Sequence, residues 1–436
     1  PIPAFQNVDQ PDDWIFNSSV DKETLEIDGK TYRRDPDVFD TWFSSSSWPY
    51  AALDYPNGED FSKFYPLSVM ETGADILYPW VSRMIMFGLY NTDSIPFKQV
   101  YLHGLVQDEH GQKMSKSKGN VIDPMSQIEK YGADAFRMGM IAVETAGNNR
   151  PFDPSKLVGA RNFCNKLWNV ARFIEDIVGE EAYLRVSPKA ESLADHWVLS
   201  KLQHSIDKIS GDLDKFRFAE AYETIYHTLW GDIADWYIES SKGSANKSIL
   251  AYILETILKL AHPFAPFLTE TIWQTLAWEN DTILAVSSWP NTVKYDAIKA
   301  KEFETIKSIV TEIRYIRSSM HLKGDITLYH SGDKLLKEHG KLISTLARLS
   351  EVKEVRAGHG LHLTVTEIQC WLDVDQETIR SYLKKLGEKQ SDQQKLVKQL
   401  EARLGNESYT KKAPKALVDQ SKTQLEEAKQ LLEKIS

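Results

Sequence analysis

The chain has 436 residues, a formal net charge of −10 at neutral pH, 42% apolar residues and 26% charged residues. At about 150 residues per domain, this length allows roughly three domains, and the composition supports packed cores rather than whole-chain disorder. Only two cysteines are present, which excludes a disulfide scaffold, and no apolar stretch approaches the ~20 residues of a membrane span. No basic-then-apolar leader opens the sequence, so we expect a soluble, cytoplasmic protein without membrane contact.

The charge is unevenly distributed along the chain. Residues 376–436 contain 13 basic and 9 acidic residues, so this segment carries a net charge of +4 and the remainder −14. A basic appendage on an acidic body fits local contact with a polyanion, because Lys and Arg side chains neutralise phosphates. The charge pattern leaves open the alternative of a solvated helical hairpin with mixed charges.

Residues 1–35 are predicted to form a connecting segment, since prolines and short polar runs mark several turns. Within this segment, Thr24–Arg33 fits a small hairpin around the turn residues Asp28 and Gly29.

Residues 36–150 alternate between strand and helix, which is typical of a parallel α/β domain. The predicted elements, in chain order, are Leu67–Thr72, Asp75–Tyr90, Gln99–Val106 and Pro124–Val143. Asp123 is a predicted helix cap before Pro124. Ligands of parallel sheets bind beyond the carboxyl ends of the strands, so the residues after each strand are candidates for a site.

The second half of the chain has helical periodicity. Residues 151–299 are predicted to form an all-α bundle, and residues 300–372 a small α+β unit with short strands. In residues 373–436 the apolar positions alternate in steps of three and four, which predicts two helices that fold back as an antiparallel coiled coil.

The most distinctive segment lies between residues 103 and 120. His103 and Gly104 are followed by the string Gly111–Asn120, in which three lysines alternate with small hydroxyl residues and glycines. Such a loop brings ammonium groups, hydroxyls and backbone N–H groups to a polyphosphate. Lysine-rich loops alone are usually plain surface, so the specificity lies in the complete string.

Lys113–Ser117 reads KMSKS and resembles the second signature of class I aminoacyl-tRNA synthetases, in the group that serves valine, isoleucine and leucine. Within this group the valyl enzymes are most similar, because Ile76 and Pro79–Trp80 stand where isoleucyl enzymes normally carry Gln and Gly-Trp. Further similar segments are 35–45, 72–86, 161–169, 235–239, 262–273 and the C-terminal hairpin with Ala413–Pro414.

The resemblance covers essentially the whole chain and implies its architecture. Residues 36–150 would be the second half of a Rossmann-type catalytic domain, preceded by a connector after an inserted editing domain. Residues 151–299 would form the anticodon-binding bundle and residues 373–436 a tRNA-binding coiled-coil arm.

The resemblance also implies ATP, with Mg²⁺ on its phosphates, as a substrate; no protein-bound metal is expected. Lys116 would stabilise the transition state of adenylate formation and Lys113 would assist, because a positioned ammonium offsets charge that builds on the leaving pyrophosphate. The other implied ATP-binding residues are His103, Gly104, Gly73, Asp75, Met114, Ser115 and Ser117. For Asp75, the residues alone also fit a helix N-cap.

Trp42, Ile76 and Trp80 match the positions that enclose the valine side chain in this family. A helical spacing of four places Ile76 and Trp80 on one face. Without the resemblance, the two tryptophans would be assigned to the core.

The resemblance implies tRNA-Val as a partner. Candidate phosphate contacts are Arg161, Asn165 and Lys166 beside the catalytic domain, and Lys384, Lys385, Lys395 and Lys398 on the arm. Each of these lysines, taken singly, also fits plain surface.

The first class signature, HIGH, is absent from this sequence, and we expect it and the editing domain to precede residue 1. The chain is therefore predicted to be the C-terminal half of a synthetase that joins valine to tRNA-Val, monomeric as the full enzyme and inactive alone. Two alternatives remain: an isoleucyl or leucyl enzyme, and a stand-alone or split-enzyme tRNA-binding subunit without catalysis. The intact KMSKS string weighs against the second.

Overall fold

A computed structural model describes residues 2–142, 147–179, 188–276, 278, 282–406, 409 and 415–435. The chain forms two compact units. Unit 1 comprises Pro1–Asn165, Lys208–Thr224 and Pro263–Leu268, and unit 2 comprises Lys166–Asp207, Ile225–His262 and Thr269–Ser436.

Unit 1 begins with a four-stranded antiparallel sheet in the order β2-β1-β4-β3. Its strands are β1 Ala4–Asn7, β2 Trp14–Phe16, β3 Thr24–Ile27 and β4 Lys30–Arg34. The predicted hairpin is confirmed: β3 and β4 pair across Asp28 and Gly29, which both have positive φ. The segment predicted as a connector thus contains a complete small sheet, whose other strands sequence analysis missed.

The α/β part of unit 1 is built on two parallel strands, β5 Leu67–Gly73 and β6 Phe97–His103. The elements around them are helices α1 Thr41–Ala51, α2 Glu59–Phe64 and α3 Ser82–Thr92, and the short strand β7 Val106–Gln107. Met70, Val81, Met84 and Phe97 form a buried cluster that joins both strands to the α3 region.

The helix predicted over residues 75–90 begins in a different geometry. A 3₁₀ turn, Ala74–Ile76, is followed by a π-helical segment, Leu77–Val81, and only Ser82–Thr92 is α-helical. A π segment carries wider i→i+5 hydrogen bonding, and such segments are frequent at functional sites.

The helix predicted over residues 124–143 is divided in two. Helices α4 Pro124–Tyr131 and α5 Ala133–Ile141 meet at Gly132, whose φ of 92° breaks the helix. The cap prediction is confirmed, since the Asp123 carboxylate accepts from the N–H groups of Met125 and Ser126. After the short strand β8 Arg150–Pro151, which pairs with β7, helix α6 Pro154–Val178 begins.

Unit 2 has a helical core. Its principal helices are α7 Leu193–Leu213, α9 Ile238–Ser241, α10 Lys247–Ala261, α11 Pro266–Thr275 and α12 Ala297–Ser319, whereas α8 Phe218–His227 lies mostly in unit 1. A second π-helical segment, Thr228–Tyr237, separates α8 from α9. Leu254 on α10 and Phe303 on α12 are at most 1% exposed, and the Phe303 ring lies 4.9 Å from that of Trp197.

A buried polar cluster stands within this apolar core. The Asp195 carboxylate accepts hydrogen bonds from the Tyr237 hydroxyl at 2.7 Å and from the Asn246 side-chain amide at 3.0 Å. Backbone N–H groups of Glu191 and Ser192 also donate to it. These bonds offset the desolvation of the buried carboxylate.

Residues 327–372 contain a four-stranded mixed sheet in the order β10-β9-β12-β11, with helix α13 packed on β10. These elements are β9 Thr327–His330, α13 Lys334–Ala347, β10 Glu351–Glu354, β11 Leu361–His362 and β12 Cys370–Leu372.

The last two helices, α14 Gln376–Gly405 and α15 Lys415–Ile435, pack against each other. Their contact is apolar at Val397, Leu400 and Ala428, and Lys429 pairs with Glu401 at 2.7 Å. Ala413–Pro414, between the helices, lies outside the described residues.

No helix in the described ranges combines the length and the apolar character that crossing a membrane requires.

Candidate functional site

The parallel register of β5 and β6 brings two predicted glycine-containing segments to the same edge. Gly73 pairs with His103, so Asp75 and Gly104 follow directly at the carboxyl ends of the two strands. A Cβ added to Gly104 would lie 1.7 Å from the Asn148 carbonyl oxygen, so only glycine fits there. At Gly73 a Cβ would lie 2.7 Å from the Asp75 carboxylate.

Ionisable side chains from β5, the 3₁₀ turn after it, β6 and the loop after β7 meet at this edge. The Lys113 ammonium lies 3.8 Å from the Asp75 carboxylate, and His103 Nε2 lies 3.3 Å from the Glu71 carboxylate. His103 Nδ1 lies 3.0 Å from the Gly104 carbonyl oxygen. Sequence analysis missed Glu71, although its position two residues before Gly73 on β5 places it near the same strand ends.

The N-cap alternative for Asp75 is wrong. Gly73 occupies the N-cap position of the 3₁₀ turn, Val81 occupies that of α3, and neither turn has a side-chain cap. Asp75 instead lies within the first turn, half exposed, with its carboxylate directed to Lys113.

The lysine loop, defined here as residues 108–120, follows β7. Gln107 forms an isolated antiparallel bridge with Lys113, and Lys116–Lys118 form a single 3₁₀ turn that ends at Gly119 with φ 67°. The hydroxyls of Ser115 and Ser117 lie 3.1 Å apart, and Met114 is half-buried. The Lys116 side chain is exposed and makes no ion pair within the described ranges, so its ammonium remains available to an anion.

A carboxylate–amide pair, Asp108 and Asn120, closes the lysine loop. Asp108 is only 9% exposed, and its Oδ2 accepts from the Asn120 amide at 2.7 Å. Its Oδ1 accepts from the N–H groups of His110 and Gln112, at 3.0 and 2.7 Å. The bond from Asn120, followed by the backbone bond from Gln112, lowers the pKa of Asp108 below its ordinary value.

Asn120 also contacts the interior of the loop. Its Oδ1 accepts from the Ser115 N–H at 3.0 Å, and its amide nitrogen lies 3.4 Å from the Lys113 carbonyl oxygen. Sequence analysis placed Asn120 in the motif string but gave it no role, and it missed Asp108. The only sequence signal was an Asp and an Asn flanking a Gly- and Lys-rich loop.

The residues predicted for an apolar pocket come from α1 and the π-helical segment. Trp42 lies in the first turn of α1, is 37% exposed, and has the Arg83 guanidinium 5.2 Å from its ring centre. Trp80 donates from Nε1 to the Ser45 carbonyl oxygen at 3.0 Å and packs against the Met70 cluster. The core alternative is therefore wrong for Trp42, whereas Trp80 does contact the core.

Ile76, the third predicted pocket residue, is half-buried at the end of the 3₁₀ turn. The prediction that Ile76 and Trp80 share one α-helical face is wrong, because the chain is π-helical from Leu77 to Val81. The structure ties Trp80 to α1, and it records no ring contact between Trp80 and Trp42 among the described residues.

The candidates on α6 divide between the two units. In unit 1, the Arg161 guanidinium lies 5.8 Å from the Tyr131 ring centre, and Asn165 is exposed. In unit 2, the Lys166 ammonium lies 3.4 Å from the Asp235 carboxylate and 4.8 Å from the Trp230 ring centre.

Unit 2 contains a basic cavity of about 650 Å³ that Lys166 lines. Its other basic lining residues are Lys242, Arg314, Arg317 and Arg348. Sequence analysis missed these, because they come from separate elements whose juxtaposition the local pattern does not indicate. Arg314 donates from Nε and Nη2 to the Leu346 carbonyl oxygen, at 3.0 and 2.8 Å.

The lysines of α14 differ in their surroundings. Lys384 and Lys395 make exposed ion pairs with Glu388 and Asp392, and Lys385 donates to the Ser319 carbonyl oxygen at 3.4 Å. Lys398 is exposed. Exposed pairs of this kind contribute little to stability, so these ammonium groups stay accessible to other anions.

Neither cysteine has the lowered pKa that a reactive thiolate requires. Burial raises the pKa of Cys164 and of Cys370 to about 12, so both are neutral thiols at physiological pH. The part of the chain that the structure describes contains no group of three His, Cys, Asp or Glu side chains placed to hold a metal ion.

Two family descriptions match the chain. Residues 6–151 match "tRNA synthetases class I (I, L, M and V)", and residues 195–330 match "Anticodon-binding domain of tRNA ligase". The chain belongs to the class I tRNA synthetase family.

The curated relatives that match most of the chain are valine–tRNA ligases. Valine–tRNA ligase of Thermotoga maritima is 35% identical over 94% of this chain and 49% of its own length. The Bacillus subtilis enzyme is 34% identical over 91% of the chain and 48% of its length, and the chloroplastic/mitochondrial valine–tRNA ligase 2 of Arabidopsis thaliana is 34% identical over 96% and 48%. The chain thus spans about half the length of these relatives, and the predicted resemblance to valyl-tRNA synthetases is confirmed.

One solved structure supports the fold. The LeuRS of Agrobacterium radiobacter K84, solved as a ternary complex with tRNA and LeuAMS, superposes with a TM-score of 0.58 at 21% identity. The match covers 76% of this chain and 42% of that one. A multi-domain architecture of α/β and helical regions is therefore shared.

Proposed function

We propose that this chain is the C-terminal half of a valine–tRNA ligase, which activates valine with ATP and transfers it to tRNA-Val. The main support for this proposal is that Lys113 of the lysine loop lies 3.8 Å from the Asp75 carboxylate, at the carboxyl ends of β5 and β6. Ligands of α/β sheets bind at this edge. The valine–tRNA ligase relatives supply the choice of amino acid.

The lysine loop would serve the ATP phosphates. In adenylate formation the valine carboxylate attacks the α-phosphorus of ATP. The bond between the α-phosphorus and the oxygen that bridges it to the β-phosphate breaks, and pyrophosphate leaves. The Mg²⁺ arrives bound to ATP. The exposed ammonium of Lys116 would offset the charge that builds on pyrophosphate, with Lys113 assisting from beside Asp75. Backbone and hydroxyl groups at Met114, Ser115 and Ser117 would add hydrogen bonds.

The adenosine part would lie over the strand ends. Gly73, paired with His103 at the edge, would let a nucleotide approach the backbone, whereas the missing Cβ of Gly104 makes room for the Asn148 carbonyl oxygen. Asp75 would accept a hydrogen bond from a ribose hydroxyl. This bond would partly replace its long, exposed ion pair with Lys113.

Trp42, Ile76 and Trp80 would enclose the valine side chain. Such a pocket rejects isoleucine by size, although one extra methylene is worth only ~1–3 kcal/mol, and it hardly rejects threonine. In ATP–pyrophosphate exchange by the native polypeptide, Trp80→Gly is expected to reduce the ratio of the kcat/KM values for valine and isoleucine by about 10-fold or more. Unchanged relative kinetics would exclude Trp80 from the pocket.

We propose the following division of the chain: connector 1–35, catalytic half-domain 36–150, anticodon-binding bundle 151–299, α+β unit 300–372 and coiled-coil arm 373–436.

The bundle and the arm would bind tRNA through its phosphates. Arg161, Asn165 and Lys166 would contact tRNA beside the catalytic region. Lys384, Lys385, Lys395 and Lys398 would do so on the arm.

The deciding experiment is valine-dependent ATP–pyrophosphate exchange by the native polypeptide that carries this sequence, expressed from its gene. Exchange with valine, and far less with isoleucine or leucine, is the expected result. Tight tRNA binding with a steep salt dependence but no exchange would favour the tRNA-binding subunit instead. The isolated 436-residue chain is expected to be inactive, and exchange by that chain would contradict this part of the proposal.

A further inference from the structure

The lysine loop must hold flexible, exposed lysines in a defined geometry, although few of its side chains are buried. An unrestrained loop would lose conformational entropy each time its ammonium groups met a polyphosphate. The structure shows how this loss is reduced: the Asp108–Asn120 pair ties together four points of the loop.

The pair closes the loop at both ends. Asp108 directly follows β7, and Asn120 follows the 3₁₀ turn that contains Lys116, twelve residues later. One bond of 2.7 Å joins them. Since Asp108 also binds the turn at Gln112, a single carboxylate fixes the start of the loop and its return.

From Asn120 the contacts reach the lysine-bearing backbone. The amide oxygen holds the Ser115 N–H, directly before Lys116, and the amide nitrogen lies near the Lys113 carbonyl. Neither Asp108 nor Asn120 belongs to the buried apolar cluster of unit 1, which lies on β5, β6 and the α3 region. Loss of the pair should therefore loosen the loop without unfolding the unit.

We propose that Asp108 and Asn120 are positioning residues that preorganise the lysine loop, so that Lys116 and Lys113 meet the pyrophosphate of ATP in a fixed geometry. The inference rests on the proposed function for its catalytic consequence, and on the hydrogen bonds alone for the restraint of the loop. Neither residue needs to touch the substrate.

The geometry allows a swap test with isosteric side chains. In Asp108→Asn, the new side-chain NH₂ group faces the NH₂ group of Asn120, so two donors oppose each other. If the Asn120 amide flips to relieve this, its NH₂ group faces the Ser115 N–H instead. In Asn120→Asp, two carboxylates face each other. In the double variant Asp108→Asn/Asn120→Asp, the new Asn donates to the new Asp. The oxygen of the new Asn still accepts from the Gln112 N–H, and the new carboxylate still accepts from the Ser115 N–H. Only the long 3.4 Å contact of residue 120 with the Lys113 carbonyl oxygen is lost. Asp153→Asn is the matched control, because Asp153 also accepts from a backbone N–H, that of Ser155, which is not a residue of the lysine loop.

The first measurement is amide hydrogen exchange of loop peptides in the 436-residue chain at pH 8. Each single variant should exchange about 10-fold faster or more at residues 112–116, because a buried group is left without its partner. The double variant and Asp153→Asn should stay near wild type, with thermal unfolding unchanged throughout. Unchanged loop exchange in both single variants, or a double variant as fast as the singles, would overturn the proposal.

The second measurement is ATP–pyrophosphate exchange by the native polypeptide carrying the same substitutions. Each single variant should lose about 10-fold or more in kcat with the KM for valine unchanged, and the double variant should recover most of the loss. A merely structural role would not give this division between kcat and KM, so an equal rise in the KM for valine would also count against the proposal. No activity in any protein, including wild type, would contradict the proposed function, while loop exchange would still decide whether the pair restrains the loop.

Discussion

The lysine loop and the helical core of unit 2 are stabilised by different interactions. The loop is mostly exposed and is shaped by hydrogen bonds from Asp108 and Asn120 to backbone groups. The core instead buries apolar side chains such as Phe303 and Leu254, with the Asp195 cluster inside it. Exposed residues of the lysine loop such as Lys116 can therefore change without unfolding the chain, whereas substitutions in the core should destabilise it.

The largest expected effect is on the core. Phe303→Ala removes a fully buried ring next to Trp197, and the cavity should lower the free energy of unfolding by about 3–5 kcal/mol. Urea unfolding followed by circular dichroism measures the loss. Ile298→Ala, on the same helix but 74% exposed, is the control and should change stability by less than about 0.5 kcal/mol. Equal losses for both would show that burial does not stabilise this helix.

The loop should show the opposite pattern. In the native polypeptide, Lys116→Ala is expected to lower the kcat of valine-dependent ATP–pyrophosphate exchange by about 10²–10³-fold, because one charge that stabilises the transition state is lost. Thermal unfolding should not change, since the side chain is exposed. Lys118→Ala, two residues along the same 3₁₀ turn, should lose much less. A comparable loss in both variants would indicate a general charge effect rather than a role for Lys116.

A buried polar group within the core gives an intermediate case. Tyr237→Phe removes the hydroxyl that donates to Asp195 Oδ1, and this should cost about 1–3 kcal/mol of unfolding free energy. The change should appear in urea unfolding while ATP–pyrophosphate exchange by the remaining folded protein is unaffected. Tyr78→Phe, at an 83% exposed position, serves as the comparison. If both variants were equally stable, the Asp195 cluster would add nothing to the core.

The smallest effect concerns pH. Hydrogen bonding lowers the pKa of folded Asp108 below the ~3.9 of an unfolded Asp, so the carboxylate restrains the loop above that value. Loop protection, corrected for intrinsic exchange, should be constant from pH 8 to about 5 and should be lost as the pH falls through the folded pKa. Asp108→Asn should remove this dependence. A loss of wild-type protection already near pH 6 would show that a group other than Asp108 controls the loop.

Much of the fold follows from local pattern. The hairpin at Asp28–Gly29 and the cap at Asp123 agree with the sequence predictions, because each depends on a few adjacent residues. The π-helical segments and the break at Gly132 were missed, because apolar periodicity does not distinguish a π turn from an α turn.

The candidate site was predictable only in part. The lysine loop and the residues after β5 and β6 were found because they are contiguous strings. The Asp108–Asn120 pair and the basic cavity were not, since they join residues far apart in sequence through the closed loop or the packed helices. A carboxylate of this kind has no local signature until its partner is in place.

The two cysteines, of which Cys370 is buried and Cys164 is half-buried, have a practical consequence for spectroscopy. With pKa values of about 12, Cys164 and Cys370 present almost no thiolate to maleimide reagents near pH 7. A fluorophore could therefore be attached selectively to a cysteine introduced at exposed Lys118, with both native thiols left in place. In the 436-residue chain, the fluorescence of such a label would report movements of the lysine loop in real time, without a second label on Cys164 or Cys370.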